Sequence, residues 1–182
     1  MSNTSSITRS LLIALCVITL TACRTTHSGT HGRSDAFGVD MRQLARAGIA
    51  LGFDVEETDD WPLLIEASQW LGVRYVYGGN TKNGVDCSGL TTQIFKKVYG
   101  IQLHRRSVDQ YRKNCRSVHR SHLQMGDLVF FATGKSRTTV SHVGIYLKNN
   151  LFIHASSSRG VVVSDLNSNY YVRNWVSGGR VK

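Results

Sequence analysis

The stretch Asp86-Cys87-Ser88-Gly89-Leu90 marks the point where a loop rich in Gly and Asn gives way to an apolar-periodic segment. The apolar residues of that segment recur every fourth position: Leu90, Ile94 and Val98. With Gly100 as a stop, the pattern predicts a helix from Cys87 to Tyr99 that has Asp86 as its N-cap. Unpaired N–H groups and the helix dipole favour a thiolate in its first turn, so Cys87 is a candidate nucleophile. A buried structural Cys is the alternative.

The N-terminal residues have the pattern of an export signal. A ten-residue apolar run from Leu11 to Leu20 is well short of the roughly 20 residues that span a bilayer. Leu20-Thr21-Ala22-Cys23 resembles the lipobox of bacterial lipoproteins, in which the Cys is acylated. The resemblance implies a signal peptide over 1–22 and a membrane anchor at Cys23. Since Arg24 rather than Asp follows, it also implies the outer membrane, facing the periplasm; an internal start helix is the alternative.

Composition divides the rest of the chain into a tether and one domain. Residues 23–38 are rich in Ser, Thr, Gly and His, which predicts a flexible tether. Residues 39–182 suffice for a single domain that begins with two helices packed into the core. The first has apolar residues at helical spacing and ends near Gly52: Met41, Leu44, Ala45, Gly48 and Ile49. The second is capped by Asp59 and Asp60, closes at Gly72 and has this apolar face: Leu63, Leu64, Ala67, Trp70 and Leu71.

Charge and cysteine content restrict the partners. The formal charge of +10 indicates an anionic partner, and export makes cell wall or membrane fit better than nucleic acid. The basic run from His104 to His122 is either a solvated surface or an attractor of carboxylate-rich glycan-peptide.

Cys16 is lost with the signal and Cys23 carries lipid, so no disulfide framework remains. Because a bridge to Cys87 would inactivate the nucleophile, we expect Cys115 to be a buried or idle thiol.

Two histidines are predicted to meet on a hairpin. The strands over 140–147 and 151–155 are separated by a three-residue loop, Lys148-Asn149-Asn150. In that register one face is wholly apolar, through these pairs: Leu147 with Leu151, Ile145 with Ile153 and Val143 with Ala155. His154 then faces Gly144 and lies diagonal to His142 on the opposite, non-core face.

Such a pair, together with an exported Cys at a helix start, fits a relay in which one His activates Cys87 and the other orients the first. A zinc site that uses both histidines is the competing interpretation. It lacks a third ligand unless Cys87 serves.

Five motifs occur in a fixed order: Tyr75-Val76-Tyr77-Gly78-Gly79, Gly84-Val85-Asp86-Cys87-Ser88-Gly89-Leu90, Gly126-Asp127-Leu128-Val129-Phe130-Phe131, His142-Val143-Gly144-Ile145-Tyr146 and Phe152-Ile153-His154-Ala155-Ser156. They closely resemble the NlpC/P60 family of cell-wall peptidases, from about Leu63 to the C-terminus. With the lipobox, the chain looks most like the small lipoprotein endopeptidases of that family. The resemblance implies a papain-like α+β fold with a nucleophile helix packed on an antiparallel β-sheet. We expect no cofactor and no metal.

The resemblance also implies roles for individual residues. Cys87 is the nucleophile, His142 the general base and acid, and His154 the residue that orients His142. Tyr75 and the Cys87 N–H support the oxyanion. The remaining family positions that support substrate are Asp86, Ser88, Arg105 and Gln110, with Asp86 accepting from a free stem-peptide amine. His104 and Arg106 depart from the family pattern, in which Pro and a small hydroxyl residue are common.

The implied reaction is hydrolysis of a peptidoglycan stem peptide or cross-link through a Cys87 acyl-enzyme. Two bonds are candidates, D-γ-glutamyl-diaminopimelate and D-alanyl-diaminopimelate. A catalytically silent wall-binding lipoprotein and a related-fold amidase or acyltransferase are the alternatives. We expect a monomer.

Overall fold

The computed structural model of the chain describes residues 40–134 and 136–182. The predicted signal peptide (1–22), the lipid anchor at Cys23 and the tether (23–38) therefore lie outside the described residues. Within the described part, no helix combines the length and the apolar character that crossing a membrane requires.

Six antiparallel strands form the main sheet. The helices are α1 (Met41–Leu51), α2 (Trp61–Ser68), α3 (Cys87–Tyr99), α4 (Ser107–Asp109) and α5 (Asn169–Asn174), with a π-helical turn over Gln110–Asn114 and a 3₁₀ turn over Arg120–His122. The strands are β1 (Asn80–Thr81), β2 (Gly84–Val85), β3 (Cys115–Val118), β4 (Leu128–Phe131), β5 (His142–Tyr146), β6 (Leu151–Ser156), β7 (Gly160–Asp165) and β8 (Trp175–Val181). β1 pairs with β2, and the main sheet has the order β3-β8-β4-β5-β6-β7.

Helix α3 has the predicted bounds and lies at the centre of the fold. The Asp86 carboxylate accepts from the Gly89 N–H at 2.7 Å, and Gly100 ends the helix in the left-handed conformation at φ 69°. The apolar face packs against α2 and against strands β5 and β6. A Cβ on Gly89 would collide with the carbonyl oxygen of Gly79, so the absence of a side chain lets the preceding loop close over the helix start.

The β5–β6 hairpin confirms the predicted register. Ile145 pairs with Ile153, and the Leu147 N–H donates to the Leu151 carbonyl at 2.9 Å. Both asparagines of the connecting loop have positive φ, which Asn tolerates better than most residues. The apolar face of the hairpin belongs to the main core beneath α3.

The opposite face of the hairpin is not the non-core face that the sequence predicted. His154 is only 1% exposed and packs against the rings of Phe152 and Tyr171. These rings belong to a second, smaller core, to which α5 contributes Tyr171. The prediction was wrong because the alternation of apolar and polar residues identifies one face of a strand as core-facing. It cannot show that a helix later in the chain, here α5, covers the opposite face.

Helix α1 confirms the predicted helix but buries only part of the predicted face. Leu44 and Leu51 pack inward, whereas Met41, Ala45 and Ile49 are exposed, Ile49 to 83%. The helix carries two apolar stripes, and spacing alone does not reveal which one meets α2. Helix α2 ends at Ser68, and two further turns lead to Gly72.

Candidate active site

The Cys87 sulfur lies between the start of α3 and strand β5. The residue is 8% exposed, and the backbone N–H groups of Val143 and Ser88 act to lower the pKa of its thiol. Because Val143 follows His142 directly in β5, the thiol sits beside the first residue of that strand. Cys87 and His142 line the same cleft, as the relay hypothesis requires.

The electrostatic surroundings of the thiol differ from those predicted. Burial and the negative charge of Asp86 raise the pKa of Cys87, against the opposing effect of the backbone N–H groups. The capping carboxylate that fixes the helix start thus also disfavours a thiolate next to it. Helix position alone predicted a lowered pKa, whereas the resting side chain is a neutral thiol.

His142 and His154 are in direct contact. His142 Nε2 lies 2.9 Å from His154 Nδ1, and the two rings are inclined by 85°. Burial lowers the pKa of His142 to about 4. Burial, the His142 charge and Arg159 also lower the pKa of His154. Both rings are therefore neutral near pH 7, and one proton is shared across their contact.

A further layer holds His154, and sequence reasoning missed it. His154 Nε2 lies 2.9 Å from the Tyr171 hydroxyl and 3.0 Å from Ser164 Oγ, and Arg159 Nη2 donates to the same Ser164 oxygen at 3.2 Å. Val162 of β7 pairs with His154, and Ser164 lies two residues further along on the same face of that strand. A predicted register for β7 would therefore have indicated the contact between Ser164 and His154. Tyr171 comes from α5 after a loop, and no pattern in the sequence predicts its contact.

Asp86 is engaged on both carboxylate oxygens. Arg105 donates from Nη1 to one oxygen at 2.9 Å and from Nη2 to the other at 2.7 Å, and Gly78 N–H donates to the second at 2.8 Å. Burial alone would raise the pKa of Asp86, but hydrogen bonds from Arg105 and Gly89 hold it below its ordinary value. With the Gly89 contact included, the four strong acceptor positions of the carboxylate are occupied. A substrate amine at Asp86 would have to displace one of these donors.

The other predicted support residues fall into two groups. Tyr75 lies beside Cys87 in the cleft, where burial and then the Cys87 charge raise the pKa of its phenol. Ser88 Oγ accepts a hydrogen bond from Arg105 at 3.0 Å. Gln110 is fully buried and bonds the Ser88 and His104 carbonyls. It therefore braces the loop at residue 104 against α3 and lies beneath the cleft surface, so the structure does not support a direct substrate contact for it.

The cleft has two arms that meet at Cys87. The first, here the histidine arm, has a volume of about 530 Å³ and includes Ser141, His142, Ser156, Ser157, Ser158 and Arg159. The second, here the Arg105 arm, has a volume of about 500 Å³ and includes Tyr77, Asp86, Ser88, Arg105 and Arg106. Tyr75, Cys87 and Ser141 line both. An extended peptide can therefore pass the thiol with one half in each arm.

Cys87 has two alternative partners to consider, the thiol of Cys115 and a zinc ion. Cys87 and Cys115 are both free, and burial raises the pKa of Cys115 to about 12, so the prediction that Cys115 is buried and does not bridge to Cys87 is confirmed. Within residues 40–134 and 136–182, no group of three or more His, Cys, Asp or Glu side chains is arranged to hold a metal ion. The zinc interpretation finds no ligand set there.

Comparison with known proteins places these residues in a family context. The model of the NlpC/P60 family matches residues 72–180, which include Cys87, both histidines and both arms of the cleft. The chain is 36% identical over 176 residues to "Murein DD-endopeptidase MepS/Murein LD-carboxypeptidase" of Escherichia coli strain K12, covering 93% of this chain and 89% of that protein. It is 40% identical over 116 residues to "Probable endopeptidase NlpC" of the same strain, covering 64% of this chain and 74% of that protein.

Solved structures agree with this assignment. A crystal structure of an NlpC/P60 family protein from Bacillus cereus superposes with a TM-score of 0.62 at 32% identity, over 70% of this chain and 42% of that one. The NlpC/P60 domain of the peptidoglycan hydrolase SagA superposes with a TM-score of 0.57 at 25% identity, over 68% of this chain and all of that one. Both the papain-like α+β fold and the five motifs are therefore accounted for, and the chain belongs to the NlpC/P60 family.

Proposed function

We propose that the chain is a cysteine peptidase that hydrolyses peptidoglycan peptides through an acyl-enzyme on Cys87. One observation carries the proposal: Cys87 and His142 line the same cleft, and His142 Nε2 is already bound to His154. The second nitrogen of His142, Nδ1, thereby remains for the thiol. The names of the relatives from Escherichia coli, a murein endopeptidase and a probable endopeptidase, support the reaction class.

The proton chemistry follows from the neutral resting state. When His142 donates from Nε2 to His154, its Nδ1 has a free lone pair that takes the Cys87 proton as the sulfur attacks the amide carbonyl. The resulting imidazolium then protonates the leaving amine, which leaves a thioester on Cys87. A water molecule, deprotonated by the same nitrogen, hydrolyses that thioester and restores the thiol.

Charge that develops on the carbonyl oxygen requires donors beside the sulfur. The Cys87 N–H, at the start of α3, and the Tyr75 phenol are the groups that we assign to this role, since both adjoin the thiol. Burial keeps the phenol protonated at neutral pH, so Tyr75 retains a proton to donate.

The Arg105–Asp86 ion pair supports a choice among substrates. A free stem-peptide amine has no unoccupied acceptor at Asp86, because Arg105 holds both oxygens. In a stem peptide that is still attached to the glycan, the N-terminal amine is acylated. Such a stem brings no free amine to Asp86, so no donor on that carboxylate has to be displaced. We therefore assign stems attached to the intact wall as the substrate, cut at an amide bond to diaminopimelate. The basic charge of the chain favours approach to that acidic polymer.

We also propose that the protein is an exported lipoprotein. The apolar run from Leu11 to Leu20 and the lipobox ending at Cys23 support this, together with the tether over 23–38. Arg24 after the acylated Cys supports the periplasmic face of the outer membrane as its location.

Digestion of purified muropeptides by the full chain in detergent tests the reaction. Mass spectrometry distinguishes the outcomes. Hydrolysis within a stem leaves a shortened peptide on the sugar and releases the rest, and hydrolysis of a cross-link gives two sugar-bearing stems, whereas an amidase releases the intact peptide from the sugar. A silent wall-binding protein would bind sacculi and leave every muropeptide mass unchanged. Either of the last two results would refute the proposed peptidase.

A further inference from the structure

The histidine arm carries a positive charge that the proposed chemistry does not use. Arg159 lies in the exposed turn between β6 and β7 and lines this arm, together with Ser156, Ser157 and Ser158. No Asp or Glu is among the described residues that line the arm. The arm thus presents one guanidinium within a wall of hydroxyl groups.

Arg159 differs from Arg105, the arginine of the second arm that is bound to Asp86. Arg105 is neutralised by Asp86 at 2.7 Å, whereas no carboxylate in residues 40–134 or 136–182 forms an ion pair with Arg159. Its Nη2 is held instead by Ser164 Oγ at 3.2 Å, and that oxygen lies 3.0 Å from His154 Nε2. One hydrogen bond therefore ties the cation to Ser164, which is itself bonded to His154, and the guanidinium still faces the cleft.

The direction of the reaction tells which part of a substrate enters this arm. His142 protonates the leaving amine, so the leaving group must lie on the His142 side of Cys87. His142 and Arg159 line the histidine arm, and neither of them lines the Arg105 arm. The cation consequently meets the leaving group, and the acyl part of the substrate occupies the Arg105 arm.

We propose that Arg159 is the binding site for a free carboxylate on the carbon that bears the scissile nitrogen. In the D-alanyl-diaminopimelate cross-link, this carbon carries a free carboxylate. In a D-γ-glutamyl-diaminopimelate bond inside a tetrapeptide stem, the corresponding carboxyl is already an amide and carries no charge. A guanidinium forms paired, charge-assisted hydrogen bonds with a carboxylate, and the arm offers no competing anion. The inference rests on the proposed peptidase activity, and it selects the cross-link as the bond that is cut.

A matched pair of cross-linked peptides tests this subsite. One carries the carboxylate next to the scissile nitrogen and the other carries a carboxamide there. For the full chain, we expect kcat/KM to favour the carboxylate by about ten- to a hundredfold. Arg159→Ala should bring this ratio close to one, and Arg159→Lys should keep part of it. Arg173→Ala, which removes the same charge from α5 outside the lining of the cleft, should keep the wild-type ratio.

Equal loss on both peptides in Arg159→Ala, with the ratio unchanged, would show that Arg159 only positions Ser164 and His154, and would overturn the subsite. Binding to a Cys87→Ala chain separates this question from catalysis. A dissociation constant that is lower for the carboxylate, and that loses this preference when Arg159 is also replaced, supports the subsite even if the wild type cleaves neither peptide. Equal dissociation constants for the two peptides refute it, whatever the fate of the proposed activity.

Discussion

His142 Nε2 lies 2.9 Å from His154 Nδ1, and the contact joins two rings that burial keeps neutral. A neutral imidazole has one donor nitrogen and one acceptor nitrogen, so the hydrogen bond fixes which role the opposite nitrogen of His142 plays. When His142 donates to His154, Nδ1 is an acceptor. His142 therefore acts as a base for a neutral thiol, and no ion pair needs to exist before the substrate arrives.

Replacement of the nucleophile tests the covalent route. Cys87→Ala should fold normally, since Ala is a good helix former in the first turn of α3, and should lower muropeptide hydrolysis by about a thousandfold or more. Cys115→Ala is the control, because it removes the other buried thiol from β3, away from the cleft. Mass spectrometry of digests measures both. Activity of Cys87→Ala within tenfold of the wild type would contradict the mechanism.

The pH dependence should show which group limits each side of the profile. The active form has neutral His142 and protonated Cys87, and the pKa of His142 is lowered to about 4 whereas that of Cys87 is raised. The rate should therefore rise as His142 loses its proton at acid pH. It should fall at alkaline pH as the thiol ionises, because no proton then remains for the leaving amine. Helix position alone predicts the opposite assignment of the two limbs.

Asp86→Asn separates the two limbs. The Asp86 charge raises the pKa of Cys87, so its removal should move the alkaline limb of kcat/KM to lower pH, and the unpaired Arg105 acts in the same direction. Asn remains an acceptable N-cap for α3. Arg180→Lys, which alters an ion pair with Asp127 away from the cleft, serves as the control. An alkaline limb that stays in place, or moves upward, would contradict the assignment of that limb to Cys87.

The helix that carries Cys87 and the hairpin that carries both histidines were predictable because each depends on local rules. The cap Asp86 and the stop Gly100 bound α3, and the three-residue loop fixed the β5–β6 register. The contacts around them were not predictable. Asp86 meets Arg105 only after the chain has passed through all of α3, and Tyr171 reaches His154 only once α5 folds over the sheet. Such contacts form when segments far apart in the sequence pack together, and no periodic pattern of residues indicates them.

Gly144 should be indispensable for the approach of the two histidines. A Cβ at this position would lie 2.6 Å from Phe152 Cδ2 and 2.8 Å from the Ile153 carbonyl oxygen, both inside the sheet. Gly144→Ala should therefore lower the free energy of unfolding by about 2 kcal/mol and reduce activity. Gly134→Ala is the control, because its Cβ would meet nothing closer than 3.6 Å. Denaturant unfolding measures both, and equal stability of the two variants would refute the packing argument.

The lipid anchor can be tested by fractionation of cells. Cys23→Ala should release the protein from the membrane to the soluble fraction, since acylation at the lipobox is the proposed attachment. Cys16→Ala, in the apolar run of the signal, should remain attached to the membrane. Retention of the Cys23→Ala protein would refute the lipobox interpretation and leave the enzyme chemistry unaffected.

His154 should act as a positioning residue whose hydrogen bond matters more than its ring. In His154→Gln or His154→Asn, the amide oxygen can still accept from His142 Nε2, so partial activity should remain. His154→Ala removes the acceptor and leaves a cavity beside Tyr171, and it should lose about a hundredfold in kcat. His142→Gln should be inactive because the base itself is gone.

The acid limb distinguishes this role from simple support of the fold. Burial is the cause of the low pKa of His142, so water entering the cavity of His154→Ala should raise that pKa and shift the acid limb of kcat/KM to higher pH. His154→Gln keeps the site filled, and its acid limb should stay near that of the wild type. Tyr171→Phe, which removes only the hydroxyl behind His154, should lower kcat less than His154→Ala does. Equal inactivation by Ala and Gln with an unmoved acid limb would mean that His154 does not orient His142, because neither the lost acceptor nor the admitted water would then have affected the base.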